Sequence, residues 1–106
     1  MFARRVYLQL KPNSVAELTK RLETEIIPLL RKQKGFQDEI AFVGQGGKEA
    51  FAISLWDSAE NAEAYTRAAY PEVTKLLAGV VEGTPRVEPF EVANSTFHKI
   101  ASAVTA

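Results

Sequence analysis

The side chains best suited to chemistry in this sequence are three phenols, one indole and one imidazole. His98 is the single histidine. Its ordinary pKa sits near neutrality, which makes it the natural candidate for a general base. Tyr65 carries a phenol that can donate a proton to a substrate oxygen while its ring packs on another ring. Trp56 (the only tryptophan), Tyr70, Tyr7 and Phe42 supply further flat apolar surface of the kind that binds an aromatic ligand. Together these residues suit ring binding and proton transfer. Each also has a plain structural reading: Trp56 as core, Tyr65 and Tyr70 as packing, Tyr7 as a surface pair, His98 as a solvated side chain. The sequence has no cysteine, so thiolate nucleophiles, thiolate metal sites and disulfides are excluded. One histidine cannot build a histidine-rich metal site, and no metal-binding residue is expected.

The elements that must position these groups follow from periodicity. Val6, Leu8 and Leu10 alternate with Arg5, Tyr7, Gln9 and Lys11, which predicts a strand over residues 4–11. Tyr7 and Arg5 share a face of it, and Asp38 or Glu39 of the next strand are candidate partners. Ser14, with Glu17 three residues on, reads as a capping box opening a helix. Val15, Leu18, Leu22, Ile26, Leu29 and Leu30 give that helix one apolar stripe. Pro28 interrupts the stripe and predicts a kink, and Gly35 reads as its C-terminal stop.

Phe36 to Val43 reads as a second strand, with Ile40 and Phe42 on one face, and the Gly44–Gly47 run as a hairpin loop. In the third strand Phe51, Ile53 and Leu55 alternate with Ala50, Ala52 and Ser54. One face is bulky, the other slim, and the strand ends on Trp56. A slim face below an aromatic leaves room for a ligand or another chain. Asp57, paired with Glu60, reads as the cap of a helix over 58–69, and Pro71 opens a second short helix. After Gly83-Thr84-Pro85, residues 86–100 read as a long extended segment. Alternation would set Asn94, Thr96 and His98 on the same face of it as Phe90 and Val92.

The order β-α-β-β-α-β predicts an α+β, ferredoxin-like fold: a four-stranded antiparallel sheet with helices on one face. A chain of 106 residues is expected to form a single domain over residues 1–106. It buries only about two-thirds of its unfolded surface, so a second copy packed sheet to sheet would complete its core. Thirteen basic and thirteen acidic residues cancel, which argues against nucleic acid or an anionic membrane as partner. No apolar run approaches a membrane span, and the N-terminus is a poor signal peptide, so a cytoplasmic protein is expected.

The run Ile27-Pro28-Leu29-Leu30 to Gly35-Phe36, the run Leu55-Trp56-Asp57-Ser58 to Ala64-Tyr65, and the closing extended segment resemble the antibiotic biosynthesis monooxygenase family of dimeric α/β barrels. The resemblance spans roughly residues 2–100. It implies a homodimer with a ligand pocket between sheet and helices in each subunit. It also implies oxidation of an aromatic or quinol-like substrate with no cofactor, because the substrate anion itself reduces oxygen. Trp56 matches the strand-end tryptophan of quinone-forming members. Ala52 and Ala62 stand where that branch has an asparagine and a tyrosine, so the resemblance equally admits a non-catalytic dimeric module binding a small apolar or aromatic ligand. The haem-degrading branch fits poorly, since Lys75 stands where its haem-binding histidine would be.

Overall fold

A computed structural model describes residues 1–100. Strand β1 (Phe2–Leu10) leads through a helical crossover to β2 (Phe36–Val43) and β3 (Glu49–Trp56). Helices α3 (Ala59–Ala68) and α4 (Tyr70–Leu77) then return the chain to β4 (Val81–Glu91). The strands lie in the order β2-β3-β1-β4 with every neighbouring pair antiparallel. This is the ferredoxin-like arrangement. No helix among the described residues is long and apolar enough to cross a membrane.

The first crossover consists of α1 (Val15–Arg21), a π-helical turn (Leu22–Ile26) and α2 (Ile27–Arg31). Pro28 accounts for the π turn. It has no N–H for the Thr24 carbonyl and its ring crowds that carbonyl. The chain answers by widening one turn, so that the Ile27 N–H bonds back to Leu22 rather than Glu23. The expected kink is thus a local change of helical period. Both expected capping boxes are replaced. Ser14 makes no side-chain cap, its hydroxyl turning to the Pro12 carbonyl at 3.3 Å, while Glu17 pairs with Arg21. Ser58, not Asp57, caps α3: its Oγ accepts from the Asn61 N–H at 3.2 Å, and Asp57 instead accepts from the Asn61 side chain at 2.8 Å. Gly35 ends the first crossover at φ +83°, a conformation open to glycine.

Strand β4 starts earlier and stops sooner than the sequence suggests. Gly83-Thr84-Pro85 lies inside it as a bulge opposite Leu8, with Gly83 at φ +69°. Pro85 has no N–H for the ladder, and a bulge is where a strand tolerates that. Pairing with β1 ends at Glu91 opposite Phe2, so residues 92–100 are not strand. Ser95 turns that segment instead, its Oγ accepting from the N–H groups of Phe97 and His98 at 3.1 Å each.

The core lies between the sheet and the helices. Val6, Leu8 and Leu10 of β1 face Leu18, Ile26 and Leu30 of the first crossover and Val73 and Leu77 of α4. Among the described residues, no helix covers the other face of the sheet. Ile40, Phe42 and Phe90 are 46, 39 and 50% exposed there, and Phe42 stacks on Phe51 with centroids 4.8 Å apart.

Candidate functional site

The slim face of β3 is the floor of a cavity. Ala50, Ala52 and Ser54 point towards the helices together with Ala41 of β2 and Val6 and Leu8 of β1. The roof is built from Leu18, from Leu22 and Ile26 of the π turn, and from Tyr65, Tyr70 and Val73. The space between the walls, mouth included, is about 570 Å³. It is a slot between sheet and helices, with the rings of Tyr65 and Tyr70 on one wall. A second hollow, outside Leu18, Leu22, Glu39 and Ala41, continues it to the surface beside edge strand β2.

One rung of the floor is polar. Arg4 of β1 and Glu39 of β2 both pair with Ser54 of β3, so the three stand side by side across three strands. At ordinary strand spacing Arg4 and Glu39 are roughly 10 Å apart at Cα. Ser54 Oγ accepts the indole N–H of Trp56 at 2.9 Å, which fixes the hydroxyl and leaves its proton free to donate. The Arg4 guanidinium lies 5.0 Å from the Tyr65 ring centroid and 4.6 Å from that of Tyr70. Among the described residues, Arg4 Nη2, Glu39 Oε1 and the Tyr70 hydroxyl are buried without a hydrogen-bond partner of ordinary geometry, although the oxygens of Tyr65 and Tyr70 stand close enough to Arg4 to favour its charge.

Burial sets the protonation of these groups. It pushes the Tyr65 phenol up to about 12, against the opposing pull of Arg4. Tyr70 is raised by burial as well, with Arg4 again opposing. Both phenols are therefore protonated at neutral pH. Burial lowers Arg4 and the two tyrosines oppose it, but a guanidinium stays charged in a protein. Burial alone raises Glu39 from 4.5. A carboxyl raised on folding binds its proton more tightly in the folded chain than in the unfolded one. Its contribution to stability therefore grows as pH falls through the folded pKa, and is complete below the unfolded value. Urea midpoints measured from pH 7 down to pH 4 should show this gain in the wild type, while Glu39→Gln should remove that part of the pH dependence.

The structure gathers some of the residues singled out from sequence and separates others. Tyr65 and Tyr70 line the slot together, in edge contact at 6.2 Å. Trp56 is 0% exposed and stands behind the wall, stacked on Tyr65 at 4.9 Å and edge-on to Phe36 at 5.5 Å. Tyr7 and Phe42 lie on the opposite face of the sheet. Tyr7 donates to Glu49 at 2.6 Å and has Arg86 over its ring, and Arg5 pairs with Glu88 at 2.5 Å. Neither Asp38 nor Glu39 partners Arg5 or Tyr7, because β3 lies between β1 and β2. His98 hydrogen-bonds the Asp38 carboxylate; Asp38 pairs with Leu55, so its side chain is on the face away from the slot. Ala52 is in the slot floor and Ala62 is buried in the core.

The sequence does not single out Arg4, and it offers Glu39 only as a partner for Arg5 or Tyr7, although a signal for the slot exists in each. Arg4 has the same parity as Val6, Leu8 and Leu10, which puts a charge on the core face of β1. Glu39 alternates with Ile40 on an edge strand whose larger apolar side chains point outwards.

The fold is that of the antibiotic biosynthesis monooxygenases. Three solved structures illustrate the likeness. The monooxygenase from the gene ActVA-Orf6 of Streptomyces coelicolor, solved with nanaomycin D, is similar at 14% identity and TM-score 0.76, over 92% of each chain. SnoaB, a cofactor-independent oxygenase from Streptomyces nogalater, shares 13% identity at TM-score 0.72, over 92% of this chain and 97% of that one. The NE2512 protein of Nitrosomonas europaea, of unknown function, shares 18% identity at TM-score 0.74, over 92 and 94%. No protein-family model and no curated protein sequence matches the chain. At these identities the likeness is one of fold.

Proposed function

We propose that this chain is a monooxygenase that oxidises a small, flat aromatic or quinol-like substrate in the slot without a cofactor. The observation that carries the reading is the slot itself: apolar, walled by the rings of Tyr65 and Tyr70 and crossed by one polar rung. Two similar structures support it, one a monooxygenase holding nanaomycin D and the other a cofactor-independent oxygenase. In the balanced reaction a phenol and O2 give a quinone and water. One oxygen atom enters the ring, the other leaves as water, and the substrate supplies all the electrons. The protein's share is to bind the ring, remove the phenolic proton and exclude water.

Tyr65 and Tyr70 form the wall against the ring, with Trp56 backing Tyr65. Tyr65 keeps its proton at neutral pH and can donate a hydrogen bond to a ring oxygen. Two groups compete for the role of base. Glu39 stands in the slot with its affinity for a proton raised by burial. His98 lies on the far face of its own subunit. Geometry favours Glu39. The working unit is a homodimer packed through the uncovered sheet face, where Tyr7 and Phe42 serve the interface and not the ring.

Oxygen uptake with naphthohydroquinone-type substrates, on metal-free and flavin-free protein, tests the reading. Uptake is expected, with Glu39→Gln slowing it by about 100-fold, the ordinary worth of a general base, and His98→Ala leaving it within about twofold. The reverse pattern returns the base to His98. No uptake across a broad panel overturns the oxidation. The reading then left is a non-catalytic binding module, favoured by Ala52 and Ala62, in which flat ligands raise the melting temperature without turnover.

A further inference from the structure

The three buried polar side-chain atoms that lack a well-formed hydrogen bond among the described residues all belong to residues lining the slot. Arg4 is the most telling. It is 4% exposed, and among the described residues no carboxylate lies within ion-pairing distance of it. Taking an ion out of water is costly even after relaxation. The rings and phenol oxygens of Tyr65 and Tyr70 offset part of that cost, but both groups are neutral. Glu39 is the nearest carboxyl in register, but it stands one strand beyond Ser54, and its own Oε1 is equally without a partner. A positive group and an acid share a rung and do not meet. The gap between them lies over Ser54, in the slot.

The missing partner can be described from the groups it must satisfy. A guanidinium only donates, so the ligand atom facing Nη2 is an acceptor, and a buried cation favours one that is charged. The Tyr70 hydroxyl and the free proton of Ser54 add two neutral donors nearby. The rest of the lining is apolar, and the Tyr65 and Tyr70 rings on its wall suit a planar body. Water would satisfy the hydrogen bonds but supply no charge.

We propose that Arg4, with the Tyr70 hydroxyl, recognises the ionised oxygen of a planar organic acid, so that the slot selects phenolates, enolates or aromatic carboxylates over their neutral counterparts. This rests on the slot being the ligand site, as under the proposed function, and not on any oxidation there. If the substrate is a quinol, the same contact favours its anion and so assists the proton transfer to Glu39.

Calorimetric titration at neutral pH with matched pairs tests it: 2-naphthoate against 2-naphthamide, and benzoate against benzamide. Each pair has nearly the same shape and differs in charge. In the wild type the acid should bind at least tenfold more tightly than the amide. Arg4→Met keeps an unbranched apolar stem between the two tyrosines, and should bring the acid down to the amide's affinity while moving the amide less than about threefold. Tyr70→Phe, which keeps the ring, should weaken the acid alone by about three- to tenfold, and it serves if Arg4→Met does not fold. Equal affinity for acid and amide in the wild type, a preference that survives Arg4→Met, or no binding of either overturns the proposal. Acid preference without oxygen uptake keeps the anion site and removes the oxidation. Oxygen uptake without acid preference does the opposite.

Discussion

Replacing Trp56 with alanine should destabilise the fold by about 3–5 kcal/mol, the usual cost of truncating a large buried aromatic. Three contacts are lost together. The ring is fully buried, stacks on Tyr65, meets Phe36 edge-on, and donates its N–H to Ser54. For a domain of this size each kcal/mol shifts the melting temperature by about 4 °C or more, so a fall of roughly 15 °C is expected. Tyr65 would also lose the surface that holds its ring at the slot wall. Trp56→Phe keeps the stacking and loses the N–H donor, so it should cost less than half as much. Thermal and urea denaturation of the two variants measures the difference. A loss under 1 kcal/mol for Trp56→Ala would mean that the junction of β3 and α3 is not held by this ring.

The second large effect is expected at the uncovered face of the sheet. In a homodimer with two-fold symmetry each substitution there acts twice. Phe42 sits among the exposed apolar residues of that face, stacked on Phe51, and Arg5 lies 4.6 Å over the Phe51 ring. Phe42→Lys would bury a charge against the partner sheet, on a face whose carboxylates Asp38, Glu49 and Glu88 are already engaged with His98, Tyr7 and Arg5, a cost of several kcal/mol. Light scattering should give a mass of twice 11.7 kDa for the wild type and close to 11.7 kDa for the variant at micromolar concentration. A wild type that runs as a monomer overturns the sheet-to-sheet dimer.

Much of this architecture was legible in the residues because strand alternation and helical stripes respond to the same burial that the fold achieves. β1 buries Val6, Leu8 and Leu10, and the slim side of β3 became the slot floor. What local rules missed were choices between competing hydrogen bonds. Two adjacent residues, Asp57 and Ser58, can each cap a helix, and only the chain path leaving β3 decides for Ser58. Pro28 announces a disturbance, but its position alone does not say whether the helix bends or a turn widens, as it does here where the Ile27 N–H bonds back to Leu22. The site was read less well for a related reason. Histidine and tyrosine attract attention by type, whereas Arg4 and Glu39 acquire meaning only from register, when β3 brings Ser54 between them.

The slot is the proposed seat of a flat ligand. A crystal structure of the protein soaked anaerobically with a naphthohydroquinone tests that most directly. The ring should lie over Ala52 and Ser54 against Tyr65 and Tyr70, with one ring oxygen within hydrogen-bond distance of Arg4 Nη2. A ring bound on the uncovered sheet face, or an empty slot in crystals that bind the compound elsewhere, would contradict it.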